Sequence, residues 1–239
     1  MNSAAALKQR QLLAALPAEV LQRWRPRLEW LDMPLGHVLY ESGETLNHVV
    51  FPTTAIVSLL NVTANGATWQ TAVVGREGLV GISVFMGGDS TPSRAAVQCA
   101  GQGFTLDAGL MREEFSLGGA VMRPVLHCTH ALITQMAQTA ACNRHHSVDQ
   151  QLCRWLSLSL DWIQGPELVM TQELISANLG ALREAVTEAA RHLQEAGLIR
   201  YARGHIHVLD RPALEAHTCE CCAIVKREYD RLLPRRQAS

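Results

Sequence analysis

The chain has 239 residues, is 48% hydrophobic, and carries 21 basic against 22 acidic side chains for a net charge of −1. That apolar content suits one large or two modest folded domains and excludes a disordered chain, while the balanced charge gives no broad attraction for nucleic acid, so such a function must rest on pattern. No run approaches the roughly 18 apolar residues of a membrane span, and residues 1–10 lack a signal-peptide core, so a soluble, cytoplasmic protein with no membrane partner is expected.

Residues 5–31 place Leu12, Leu13, Leu16, Val20, Leu21, Trp24, Leu28 and Leu31 at helical spacing, interrupted by Pro17. This predicts two short helices within an N-terminal segment, 1–34. Between residue 35 and about 106 the texture changes to short apolar runs separated by glycine. The run at 55–62 is rich in β-branched residues, and Asn65-Gly66 is a hairpin signal, so an antiparallel β-roll or jelly roll is expected over 35–118. A long helix then covers 119–148, with Val125, Cys128, Leu132, Met136 and Ala140 in a stripe at steps of three and four. Pairing with a second copy is the economical way to bury that stripe, which predicts a homodimer. Packing against the roll is the alternative. A further helix over 150–164 stops at the breaker pair Gly165-Pro166.

The last part, 149–239, reads as a winged helix-turn-helix with a C-terminal helical extension. Thr171 is a good N-cap for a helix with Leu174, Ile175 and Leu179 inward, and Gly180 ends it because glycine enters the left-handed region without penalty. A second helix over 182–196 buries Val186, Ala189, Ala190 and Leu193. Two short strands, 198–201 and 206–209, follow about Arg203-Gly204. The fold class is α+β.

The stretches TQELISANLG, REAVTEAARHLQEAGLI and GHIHVLDRPAL resemble the Crp/Fnr transcription regulators. The sensor half is similar more weakly, through residues 34–36, 41–44 and the glycines Gly75, Gly78 and Gly81. The resemblance implies a cyclic-nucleotide-binding-like β-roll, a dimerisation helix, and double-stranded DNA, a second copy and RNA polymerase as partners, with a small-molecule or redox effector. It also implies that the helix starting near Arg183 enters the major groove of each half of a palindrome. Arg183, Glu184, Thr187, Glu188 and Arg191 lie on its outward face. Arg183 can pair with guanine and Glu184 can accept from a cytosine amino group, while Thr171, Gln172 and Arg203 would hold the DNA backbone. Two departures stand out: Leu182 can neither cap the helix nor touch phosphate, and Glu188 occupies a place that is often basic.

In cyclic-nucleotide-binding relatives a glycine-glutamate pair holds the ribose and a downstream arginine neutralises the phosphate. Arg94 matches that arginine, but Gly81 is followed by Ile82, so cyclic AMP is not expected and the effector pocket reads as degenerate. No cysteine precedes Cys99, against an N-terminal iron–sulphur cluster. His37, His48, Cys99, His127, Cys128 and His130 show no diagnostic haem spacing, and the cofactor stays open. The seven cysteines, irregularly spaced, read as reduced thiols. His217, Cys219, Cys221 and Cys222 are soft-metal donors, but without the usual two-residue gap they are expected to pack rather than bind metal, with redox sensing the exception. His127 and His130 are expected to face solvent. No nucleophile elbow, phosphate-binding loop or His-Glu-x-x-His pair is present, so no enzyme is expected. The competing class is a β-roll that binds a ligand or metal and uses its winged helix for protein contacts.

Overall fold

The computed structural model describes residues 11–233 apart from Asn65, Gln164 and Pro166. The hairpin residue Asn65, the predicted helix end at Gln164, the breaker Pro166 and residues 1–10 therefore lie outside the described residues. Pro17 separates α1 (Gln11–Ala15) from α2 (Ala18–Trp24), as its missing amide dictates. Leu12, Leu13, Leu16, Val20 and Trp24 are buried. Each such side chain taken from water contributes about 1.5 to 3 kcal/mol.

A 3₁₀ turn containing Pro26 then ends the helical segment, and the chain continues as β1 (Glu29–Met33). The helical spacing extended through Leu28 and Leu31 is thus corrected: Leu31 lies in a strand of the roll, which begins inside the segment 1–34. The remaining strands are β2 (Val38–Tyr40), β3 (His48–Pro52), β4 (Ile56–Val62), β5 (Thr68–Val74), β6 (Ser93–Cys99) and β7 (Gly101–Asp107). They form two antiparallel sheets, ordered β1-β7-β3 and β2-β6-β4-β5. Apolar residues of both, including Met33, Phe51, Ile56, Val57, Val97 and Leu106, share one core.

Asp107 caps α3 (Ala108–Ser116) by accepting from the Leu110 amide at 2.9 Å. On α3, Glu114 is buried and takes a forked ion pair from Arg23 at 2.9 and 3.0 Å, so this carboxylate fastens the N-terminal helices to the roll. The long helix is α4 (Gly119–His145), with Pro124 tolerated near its start. Ser147 closes a capping box on α5 (Val148–Trp162). After β8 (Glu167–Val169) come α6 (Gln172–Leu179), α7 (Arg183–Glu195), β9 (Ile199–Ala202), β10 (His205–Val208), α8 (Arg211–Ala216) and α9 (Glu220–Leu232). The wing is a three-stranded sheet, ordered β8-β10-β9. A second core joins α5 to these elements through Leu152, Leu156, Ile175, Val186, Leu193 and Ile206.

The C-terminal helix α9 runs back antiparallel along α4: His127 Nδ1 lies 3.1 Å from the Leu232 carbonyl, and Cys142 lies against Cys219. This return overturns the expected dimer stripe. Val125, Cys128 and Leu132 are buried within the chain, in one core with the roll and with Val225, Tyr229 and Leu232 of α9, and Met136 is half-buried against it. Of the five predicted positions only Ala140 is exposed. Of the two histidines expected to face solvent, His127 is instead half-buried under α9, whereas His130 is exposed and lies 3.8 Å from Glu228. Burial pushes the Cys99, Cys128 and Cys153 thiols up to about 12, so these three are packing groups rather than reactive thiolates. Among the described residues, no helix is long and apolar enough to cross a membrane.

Candidate nucleic-acid interface

The helix-turn-helix is built by local rules. Thr171 Oγ1 accepts from the Leu174 amide at 3.3 Å to start α6, and Gly180, at φ +62°, ends it in the left-handed conformation. Ser176 Oγ donates to the Ala181 carbonyl at 2.6 Å and fixes the turn into the next helix. Ile175 and Leu179 face inward as expected, but Leu174 is exposed and Asn178 is buried in its stead. Leu182 occupies the N-cap of α7, makes no side-chain cap and is 77% exposed. Val186, Ala189, Ala190 and Leu193 anchor α7 on the second core. The opposite face presents Arg183, Glu184, Thr187, Glu188 and Arg191 to solvent.

That outward face is cross-linked rather than a bare row of charges. Arg183 donates to Glu173 at 3.1 Å, and Thr187 Oγ1 to the Arg183 carbonyl at 2.9 Å. Thr187 Oγ1 also reaches Gln172 at 3.3 Å. Glu188 is held by Arg191 at 2.6 Å and His192 at 3.0 Å; the Arg191 hydrogen bond foremost keeps its carboxyl below the ordinary range. Arg191 also pairs with Glu195. Glu188 therefore presents a locally compensated charge.

The wing tip is a two-residue turn, Arg203 at φ +50° and Gly204 at φ +81°, the pair of positive values that matches the twist of its strands. It folds over the start of α6 and α7. Thr171, Gln172, Arg183, Tyr201, Ala202, Arg203 and Gly204 line one shallow hollow of about 380 Å³. Four predicted residues, Thr171, Gln172, Arg183 and Arg203, meet there, Thr187 adjoins them through Gln172, and Glu184 and Glu188 lie on the exposed face beyond. Tyr201, whose hydroxyl donates to the Met170 carbonyl at 3.1 Å, was not anticipated. Its place opposite Ile206 in the wing ladder was the available signal.

The winged helix rests on the roll of its own chain. Trp69 of β5 and Gly180 face each other so closely that a Cβ on the glycine would stand 3.1 Å from the Trp69 Cβ. Nearby, Gln70 Nε2 donates to Ser58 Oγ at 2.6 Å and to Gln98 Oε1 at 2.7 Å. Gln98 Nε2 continues to Ser159 of α5 at 3.3 Å, and Asn178 of α6 reaches Gln98 Oε1 at 3.5 Å. A buried polar chain thus runs from the sheet into the helix-turn-helix.

The remaining predicted residues lie elsewhere. Arg94 on β6 pairs with Glu41 at 3.2 Å, away from the wing. Gly81, at φ +101°, opens the short 3₁₀ turn Ile82–Val84. His217 turns its ring to the Ala213 carbonyl, and Cys222 faces Ser157. Cys219 and Cys221 meet two side chains that the sequence did not associate with them, Cys142 and His146.

Residues 150–217 match the family described as the Crp-like helix-turn-helix domain. No curated protein matches the chain. Among solved structures, FixK2 from Bradyrhizobium japonicum is similar at TM-score 0.66 and 14% identity, over 80% of this chain and 98% of that one. A transcriptional regulator of the CRP family from Thermus thermophilus gives 0.65 and 18%, over 78% and 95%. The c-di-GMP responsive global regulator CLP from Xanthomonas campestris gives 0.65 and 13%, over 81% and 100%. The chain thus joins a segment, 150–217, that matches the Crp-like helix-turn-helix domain to an overall fold similar to that of these regulators.

Proposed function

We propose that the chain is a sequence-specific DNA-binding transcription regulator of the Crp/Fnr type, acting as a homodimer on a palindromic site. The observation that carries this reading is the hollow where the starts of α6 and α7 meet the wing tip, bringing Arg183 and Arg203 together with Thr171 and Gln172. Arg183 stands at the first turn of α7, where a helix entering the major groove offers side chains to base edges, and Arg203 at a wing tip is placed for phosphate. Glu184, Thr187 and Glu188 follow along the same face.

The second copy would pair along the exposed face of α4. Met122, Leu126, Ile133, Ala137 and Ala140, with His130 between, follow the same steps of three and four as the predicted stripe, and Ile133 is 51% exposed. This ridge faces away from the core that covers Val125, Cys128 and Leu132, and so is the surface left for a partner helix. In the sensor domain, Ile82 offers no ribose acceptor and Arg94 is engaged by Glu41, which supports a degenerate pocket that does not take cyclic AMP.

Selection from a random double-stranded DNA pool tests the reading. A palindrome with half-site centres about one helical turn apart is the expected product. No enriched sequence, from protein that sediments as a dimer, would sink it in favour of a winged helix that contacts protein.

A further inference from the structure

Four metal-competent side chains converge where the end of α4 meets the start of α9. Cys142 lies in the last turn of α4 and His146 is its C-cap residue; Cys219 is the N-cap of α9 and Cys221 lies in its first turn. Their sulphur and imidazole nitrogen atoms all lie within 4.8 Å of one another. Cys142 Sγ stands 3.5 Å from Cys219 Sγ, and Cys221 Sγ 3.8 Å from His146 Nδ1. A tetrahedral zinc ion, with sulphur at about 2.3 Å and nitrogen at about 2.0 Å, sets donor-to-donor edges of about 3.5 to 3.8 Å. The three thiols form a buried cluster of their own, separate from both main cores.

The surroundings carry two independent marks of such a centre. His146 turns Nδ1 to Cys221, while its Nε2 faces the Glu220 carboxylate at 3.3 Å, the outer contact that orients a ligating imidazole. The second mark is Arg154, which is 7% exposed, donates to Thr139 Oγ1 at 2.8 Å, and leaves its Nε without a hydrogen-bond partner. Among the described residues no carboxylate pairs with it. Cys142 and Cys221 lie within reach of its charge, while burial is the larger influence and pushes both thiols up. A buried guanidinium requires a counter-charge, and three thiolates on one divalent ion leave a net charge of about −1 beside it.

We propose that Cys142, His146, Cys219 and Cys221 form a tetrahedral site for one zinc ion. Binding converts three thiols to thiolates, releases their protons, and joins α4 to α9 across the break at Ser147 where the winged-helix part begins. The site ties the reading head to the long helix whatever that head contacts, so the inference stands apart from the DNA-binding reading.

The test starts from metal analysis of the full chain purified without chelator. Chelator-stripped, reduced protein is then titrated with cobalt(II). About one zinc per chain is expected, with cobalt giving the thiolate charge-transfer band and intense visible bands of a tetrahedral site, displaced by zinc. C142S and C221S should lose both signals, whereas C222S and H217A keep them. Metal retained in both C142S and C221S would overturn the assignment. Should those variants fail to fold, the unaltered chain decides: weak octahedral bands, or no cobalt binding by reduced protein whose Cys142 and Cys219 isolate as a disulfide, would overturn it equally.

Discussion

Glu77 gives the sharpest test of the packing between the roll and the C-terminal helices. It is 2% exposed; Oε1 accepts from the Gly75 amide at 3.1 Å, and Oε2 has no partner. It faces a hollow of about 130 Å³ shared with Leu158, Asp161, Trp162, Val225, Lys226, Tyr229 and Asp230. The nearby ammonium of Lys226 is already taken by Asp161 and Glu215, both at 3.1 Å. Burial pushes the Glu77 carboxyl up to about 7 from 4.5, against the downward pull of local amides and Arg76 and with a further push from Asp161. Between those values the open chain gives up a proton that the fold keeps. The contribution is therefore complete below pH 4.5 and is lost as pH rises through 7, by about 3 kcal/mol. Glu77→Gln retains the acceptor for Gly75 and cannot ionise. It should be more stable than the parent by about 1 to 3 kcal/mol near pH 8 and close to it near pH 4.5. Urea denaturation followed by tryptophan fluorescence across that range measures both. Parallel pH profiles for parent and variant would show that Glu77 is solvated in the fold and refute the reasoning.

Arg183→Ala should cost about 1 to 3 kcal/mol at the cognate site and relax one base position, whereas Arg203→Ala should weaken all sequences alike; titrations on matched and mutated sites separate the profiles. Met122→Glu with Ile133→Glu should give folded monomers by sedimentation. Leu132→Glu should instead fail to fold, because that side chain is buried within its own chain. Gln98→Leu removes the acceptor shared by Ser58 and Gln70 and should cost about 2 kcal/mol in urea melts, with the larger loss expected from the buried Gln70 amide.

The fold was legible wherever local chemistry sets it. Pro17 divides two helices, Gly180 and Thr171 delimit α6, and Arg203-Gly204 makes the wing turn, each from backbone rules acting over a few residues. Leu28 and Leu31 misled because their spacing also fits the helical period, while Pro26 in the 3₁₀ turn and pairing of Leu31 with Gly103 decide for a strand. On α4, Val125, Cys128 and Leu132 of the apolar stripe are buried, while Met136 is half-buried and Ala140 exposed. Periodicity says that a face is covered and nothing of what covers it. Here the cover is the roll together with α9, about a hundred residues later, and the apolar side chains left exposed on the helix are Met122, Leu126 and Ile133.

The two candidate sites differ for the same reason. The residues proposed to face DNA lie within one supersecondary unit, so spacing along the chain largely determines their meeting in space, and Thr171, Gln172, Arg183 and Arg203 line one hollow. The thiol site is made of two halves separated by 77 residues between Cys142 and Cys219, each too sparse to read alone. The segment 217–222 does not converge as a unit: Cys222 turns into the main core, whereas Cys219, the N-cap of α9, and Cys221 turn toward α4. The informative signals were an arginine and a histidine with no evident task. Arg154 is buried in α5 with its Nε unpartnered, and His146 sits at a helix end next to the Ser147 cap. Once α9 folds back along α4, both are explained by the charge and geometry of the cluster between them.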